Sequence, residues 1–326
     1  MTDTPTPLEV PARTIPVPAH LSPEAQAVLS MDLFEAATYP DADDHAAWRE
    51  MVSARDAMIL PMFEAMASGV VAEVDEIQVG EATVHVVVPQ EIDDDSQVIL
   101  NLHGGALILG GGECCRFGGV SHAGTFRSRV WSLDYRMPPD HPYPAGLDDS
   151  LAAYRALLED HRPEDIVVSG GSAGANLAAA LVLRARDEGL PLPAAVLLLT
   201  PELDLTESGD TFHTNLGVDA FLGRLMPVNL LYAAGHDLAH PYLSPLFGDF
   251  AKGFPPTFLS AGTRDLFLSN AVRMHRALRS AEINAELHVI EAGPHGGFMG
   301  AAPEDRELNL EARRFIADVR GPLREP

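Results

Sequence analysis

Long hydrophobic runs are missing from this 326-residue chain. Runs such as residues 194–199 are far too short to span a bilayer, so no transmembrane helix and no membrane partner are expected. Basic residues are scarce. Lysine plus arginine number 22 against 47 aspartate plus glutamate, and the net charge of −25 repels phosphate backbones, which argues against nucleic acid as a partner. Cysteine is nearly absent: Cys114 and Cys115 are adjacent, cannot staple distant segments, and leave no disulfide framework, which suits a reducing cytoplasm. They read as small, partly buried apolar residues rather than reactive thiols. Residues 1–18, rich in proline and threonine, lack the basic-then-apolar order of a secretory signal and read as a mobile arm. Internal repeats are absent, and no pair of histidines stands at H-E-x-x-H spacing, so neither a repeat architecture nor a metal centre is expected.

What is present is alternation. From about residue 71 onward, short β-branched or leucine-rich runs (83–88, 98–102, 130–135, 166–169, 194–199, 257–261 and 286–290) alternate with segments of helical period (147–159, 173–188, 269–281 and 304–319). This predicts an α/β fold: a mostly parallel central sheet flanked by helices, with its working groups at the carboxyl ends of strands. Two segments break the pattern and are read as a helical cap. The first carries Trp48, Met51, Val52, Ile59, Met62, Phe63 and Met66, with Pro61 expected to break or restart the helix. The second, 207–235, carries Phe212, Phe221, Leu222, Leu225, Met226, Leu230 and Leu231. Most of these side chains are expected to pack on the sheet and a minority to line a pocket. The organisation predicted is therefore an arm and cap segment over 1–70 and an α/β domain over 71–326, with a second cap insertion at about 207–235.

Two glycine-rich motifs fall just after predicted strands. Gly170-Gly171-Ser172-Ala173-Gly174 links strand 166–169 to a helix and has the form G-x-S-x-G. A serine on so sharp a turn is held in a strained backbone conformation that only small neighbours permit, and the next helix aims its positive end above it. His103-Gly104-Gly105-Ala106 follows strand 98–102 and has the form that presents main-chain N–H groups to a developing oxyanion. Gly104, Gly105 and Ala173 are the predicted donors, and His103 is expected to shape the loop. The run Gly110-Gly111-Gly112 has neither G-x-G-x-x-G spacing nor a Walker lysine, and so is no phosphate cradle.

A serine of this kind needs a base and an acid from later strand ends. Asp265 follows strand 257–261 across Gly262-Thr263-Arg264, and His295 follows the strand ending at Ile290. In the predicted chemistry Ser172 attacks an acyl carbon, His295 takes its proton and returns it to the leaving group, and Asp265 holds the imidazole tautomer. Glu202 and Asp204, after the preceding strand, are rival acids. His122, His141, His213, His236, His240, His275 and His288 lack a matching strand-end position and are expected to serve surface or packing roles.

Taken together, residues 103–298 resemble the bacterial hormone-sensitive-lipase family of esterases. The resemblance is carried by the H-G-G motif, by Asp134-Tyr135-Arg136-Met137-Pro138-Pro139 continuing into His141-Pro142-Tyr143-Pro144-Ala145, by Gly170-Gly171-Ser172-Ala173-Gly174-Ala175-Asn176, and by His295-Gly296-Gly297-Phe298. Three positions depart from the family pattern: Gly171 stands for an aspartate, Ala106 for a third glycine, and Asp265-Leu266-Phe267 for D-P-L. None removes a catalytic group. The resemblance implies an N-terminal helical cap, short- to medium-chain carboxylic esters as small-molecule substrates, no cofactor, and a homodimer through the last strand and helix. The run Gly262-Thr263-Arg264-Asp265-Leu266 also looks like the subgroup of monoterpene ε-lactone hydrolases, which leaves lactones, and amides by the same triad, as alternative substrates. A binding protein on a hydrolase scaffold that has lost its activity is the alternative of a different class; no triad residue is missing here.

Overall fold

Alternating side chains along buried strands decide which helices cover which face of the sheet. The computed structural model describes residues 7–31, 38–300 and 302–321; the first six residues of the expected arm lie outside that range. Strands β1 (Ala72–Val79), β2 (Ala82–Pro89), β3 (Val98–Leu102), β4 (Arg129–Asp134), β5 (Ile166–Gly171), β6 (Ala195–Leu199), β7 (Thr257–Gly262) and β8 (Ala285–Ile290) form one sheet in the order β1-β2-β4-β3-β5-β6-β7-β8. β2 runs antiparallel to β1 and β4, and every other pairing is parallel. Val98, Leu100, Ile166, Val168, Val196, Leu198 and Leu259 point into one core, beneath α4 (Ala145–Asp160), α5 (Ala173–Asp187) and α8 (Leu268–Ser280). Their neighbours Ile99, Val167, Ala195, Leu197 and Phe258 point the other way, onto α3 (Glu113–Phe126) and α9 (Pro303–Arg320). The period of two along each strand therefore builds two cores, as burial of both faces requires.

The seven predicted strands and four predicted helices are all present, with ends shifted by a residue or two. Within the α/β domain, one strand and one long helix were not legible. β1 is a half-exposed edge strand whose Glu73, Asp75 and Glu76 hide its periodicity. α3 is rich in glycine and cysteine, residues of poor helix propensity. Its glycines are there for contact: a Cβ on Gly119 would lie 2.6 Å from the Ser132 Cβ, and one on Gly124 only 2.4 Å from a Val70 methyl.

The cap corrects two expectations. Pro61 does not break its helix; α2 (His45–Ala67) runs through it without interruption. The lost N–H donor leaves a carbonyl one turn back to be satisfied, and Pro61 sits on an exposed face where solvent can do so. The insertion 207–235 is not helical throughout, since only α6 (Thr211–Thr214) and α7 (Met226–Ala233) form and the rest is loop. Of the apolar residues named there, Phe212, Leu225 and Leu231 join Val228, Trp48 of α2, Ile108, Leu266 and Phe267 in one cluster, Phe221 and Leu222 line the cavity, and Leu230 stays exposed. α1 (Pro23–Leu29) docks instead beside β8, where Ala25 and Val28 meet Ala292, Phe298 and Ala302, and Ser22 bonds Glu304 of α9. Among the described residues no helix is long and apolar enough to cross a membrane.

Candidate active site

Parallel strands end on one edge, and the predicted residues gather there. Ser172 caps the N-terminus of α5 immediately after β5, with φ 55° and ψ −120°, a left-handed conformation that a non-glycine residue holds only under constraint from its surroundings. Small neighbours supply the room: a Cβ on Gly170 would meet the Gly174 carbonyl oxygen at 2.2 Å, and one on Gly174 the Leu102 oxygen at 1.9 Å. The Ser172 N–H donates to the Leu199 carbonyl at the end of β6, which pins the turn. Its hydroxyl makes no capping bond to α5 and faces His295.

His295 Nε2 lies 2.8 Å from Ser172 Oγ, although 123 positions separate the two residues. On the other side of the ring, Nδ1 lies 3.1 Å from Asp265 Oδ1. That oxygen also accepts the Phe267 N–H at 2.8 Å, and Asp265 is fully buried. The Phe267 ring meets the imidazole edge-on at 4.9 Å. Burial alone would lower the His295 pKa, but the carboxyls of Asp265, Asp219 and Glu202 outweigh it and hold the pKa above the ordinary imidazole value.

Opposite the serine stands the loop after β3. A Cβ on Gly104 would lie 3.0 Å from the Gly171 oxygen and 3.4 Å from the Ser172 Cβ, so the loop backbone packs directly against the serine turn. Gly105, at φ +121°, has its Cβ position 2.1 Å from the Leu109 oxygen and admits no side chain. The N–H groups of Gly104, Gly105 and Ala173 find no acceptor among the described residues, which leaves them free for an incoming oxygen. His103 shapes this loop as expected. Its Nδ1 lies 2.8 Å from the Gly104 oxygen, its carbonyl accepts the Tyr135 hydroxyl at 2.8 Å, and the two rings stack at 4.1 Å. The same stretch anchors itself through Arg136, which forks onto the buried Asp149.

Neither rival acid hydrogen-bonds His295, whose Nδ1 is taken by Asp265. Asp204 pairs with Arg273 at 2.7 Å; burial raises its pKa, but hydrogen bonds from Ser208, Thr206 and Arg273 more than compensate and lower it overall. Glu202 is buried with neither carboxyl oxygen in a hydrogen bond of normal geometry, and desolvation pushes its pKa up to about 8. Among the described residues, one group of metal-ligating types, His103, Cys115 and Asp134, brings ligand atoms within 4.8 Å of one another. Burial pushes the Cys115 thiol far up, its sulfur contacts the Ser132 hydroxyl, and His103 serves the loop, so the group fits packing better than a cation.

Sequence reasoning missed the polar residues of the cap insertion. Asp219 is buried, and its carboxylate accepts main-chain N–H groups from Phe221, Leu222, Leu266 and His295. Asn215 donates to the carbonyls of Thr263 and Asp265, and the Thr211 hydroxyl donates to that of Leu266. Polar residues inside an apolar insertion were the available signal; only their partners were out of reach. Above the site lies a cavity of about 1110 Å³, lined by the cap, the 104–110 loop, Ser172 and His295.

Residues 99–299 match the model of a family described by the alpha/beta hydrolase fold. Among curated proteins, the chain is 36% identical to an acetyl-hydrolase of Streptomyces hygroscopicus, over 65% of this chain and 69% of that protein. It is 32% identical to the carboxylesterase NlhH of Mycobacterium tuberculosis, over 64% of this chain and 68% of that protein. Among solved structures, that of an esterase superposes with a TM-score of 0.89 at 34% identity, covering 95% of this chain and 98% of that one. An esterase from the bacterial hormone-sensitive-lipase family superposes with a TM-score of 0.76 at 29% identity, over 92% of this chain and 99% of that one. The chain therefore belongs to the α/β-hydrolase family, as a member like the bacterial hormone-sensitive-lipase esterases.

Proposed function

We propose that the chain is a carboxylesterase that cleaves short- to medium-chain esters through an acyl-enzyme on Ser172. The observation that carries this reading is the 2.8 Å approach of His295 Nε2 to Ser172 Oγ, beside three unengaged main-chain N–H groups. Ser172 Oγ attacks the ester carbonyl as its proton passes to Nε2, and the carbonyl oxygen becomes an oxyanion held by the N–H groups of Gly104, Gly105 and Ala173. Collapse expels the alcohol, which takes the proton from Nε2. Water then attacks the acyl carbon, gives its proton to Nε2, and the acid leaves as Ser172 recovers it. Asp265 keeps the imidazole in the tautomer with hydrogen on Nδ1 and balances the imidazolium that forms.

The test is turnover of short aryl esters by the intact chain and by Ser172→Ala, which should lose about a millionfold in kcat. Turnover retained by S172A rules the mechanism out. A fluorophosphonate ester should label Ser172 and no other residue. The cytoplasm is the expected compartment, supported by two free, buried cysteines. A homodimer through β8 and α9 is the expected assembly, supported by β8 being a sheet edge with Val289 exposed; size-exclusion chromatography decides it.

A further inference from the structure

Helix α2 offers the cavity one face at helical spacing: Met51, Arg55, Ile59, Met62, Phe63 and Met66. Five of these are apolar, and Arg55 stands in their row. Its side chain is half-buried, and no described residue hydrogen-bonds or ion-pairs with it. The other sheltered arginines all have partners: Arg136 has Asp149, Arg184 has Asp148, Arg320 has Asp94 and Asp165, and Arg264 has the Pro16 carbonyl. Even Arg224, in the same cavity wall, is paired with Glu207. In a chain of net charge −25, carboxylates to neutralise Arg55 are plentiful, yet its own neighbour Asp56 turns to the loop and accepts the Gly110 N–H.

A half-buried arginine with no hydrogen-bond or ion-pair partner among the described residues gives up part of its hydration, and a ligand in the cavity can supply the acceptor. Its planar fork of donors matches a carboxylate in particular. The remaining acidic group in the lining, Asp305, is occupied by main-chain N–H groups of Phe298 and Ala302. Among the described residues Arg55 is thus an arginine of the cavity lining without a carboxylate partner, on an otherwise largely apolar wall, and the stripe from Arg55 to Met66 extends roughly 16 Å at helical rise. We propose that Arg55 recognises an anion, and that the preferred substrates are esters with an ionised carboxylate at the far end of an apolar skeleton, such as hemiesters of medium-length dicarboxylic acids. This rests on the esterase reading above.

The experiment compares mono-p-nitrophenyl suberate with its neutral analogue, p-nitrophenyl methyl suberate, by nitrophenol release from the wild type, Arg55→Met and Arg55→Lys. The ratio of kcat/KM, hemiester over neutral ester, should favour the hemiester in the wild type. In R55M it should fall about tenfold or more, chiefly through KM, and R55K should recover part of it, since a hydrogen bond to a charged group is usually worth that much. A ratio equal in wild type and R55M overturns the proposal and leaves the esterase reading intact. A folded wild type that hydrolyses neither ester overturns both. If R55M does not fold, R55K and inhibition of the wild type decide: suberate should inhibit more tightly than dimethyl suberate, and equal or weaker inhibition counts against an anion site.

Discussion

Asp219 Oδ2 accepts the main-chain N–H of Leu266 at 2.8 Å, so a buried carboxylate in the cap insertion grips the residue that follows Asp265. The same carboxylate reaches the His295 N–H at 3.3 Å. The cap insertion is thus tied by hydrogen bonds to the two loops that hold the acid and the base. It is part of their support as well as a cover over the cavity.

Asp219→Asn should expose this coupling. An amide can still accept with its oxygen, but its NH₂ would then face an N–H of Leu266 or His295, and one clamp opens. We expect kcat/KM to fall roughly tenfold to a hundredfold, the loss usual for a buried charge-assisted hydrogen bond. Three carboxyls face His295, those of Asp265, Asp219 and Glu202, and all raise its pKa. Removing one negative charge lowers that pKa, so the acid limb of the pH profile should move to lower pH in D219N. Steady-state kinetics from pH 5 to 9 read both effects; a limb that stays put denies Asp219 any electrostatic part.

In the wild type, the same limb should lie above the ordinary imidazole pKa of about 6.5. His295 acts as a base only when neutral, so a raised pKa delays activity to higher pH. Asp265→Asn should cost about 10⁴-fold in kcat by favouring the wrong tautomer. A midpoint at or below pH 6 would contradict the charge environment described here.

Glu202 should leave its mark on stability. Its folded pKa of about 8 lies above that of an exposed glutamate, because burial opposes ionisation. The unfolded chain therefore releases this proton first, and stability present below about pH 4.5 is lost progressively as pH rises to about 8. Glu202→Gln, neutral throughout, should flatten that decline. Urea melts at pH 6 and pH 8.5 test it: the wild type should lose more stability between them than E202Q.

Gly105→Ala should damage the oxyanion loop selectively. With the Cβ position 2.1 Å from the Leu109 oxygen, the loop must shift, and the Gly104 and Gly105 donors move with it. Losing one such donor is worth about 3 kcal/mol of barrier, a hundredfold or more in kcat, with KM little changed. Wild-type rates from a folded G105A would remove this loop from the mechanism.

Pro61→Ala should stabilise α2. A proline inside a helix costs up to about 3 kcal/mol relative to alanine, and Pro61 is exposed, so the substitution restores a hydrogen bond without opening a cavity. Thermal denaturation should show a higher melting temperature.

Much of this protein was legible because its signals are local. A buried parallel strand is a short apolar run, β-branched or leucine-rich, whatever its neighbours, which is why β3, β5, β6 and β7 could be read within a residue or two. The turns bearing Ser172 and Gly104 announce themselves through glycine, since a backbone pressed against another backbone has no room for a Cβ. β1 and α3 escaped because edge exposure and close helix packing replace periodicity with acids in one and glycines in the other.

The sequence by itself determined the order of strands and helices, the strained serine turn and the strand-end positions of Asp265 and His295. Only the tertiary structure decided that these meet, that Asp219 and Asn215 of the insertion fasten their loops, and that Arg55 lines the cavity with no counter-ion among the described residues. The reason is physical: local patterns set what a segment becomes, whereas the partner of a buried polar group is chosen by the packing of segments far apart in the chain.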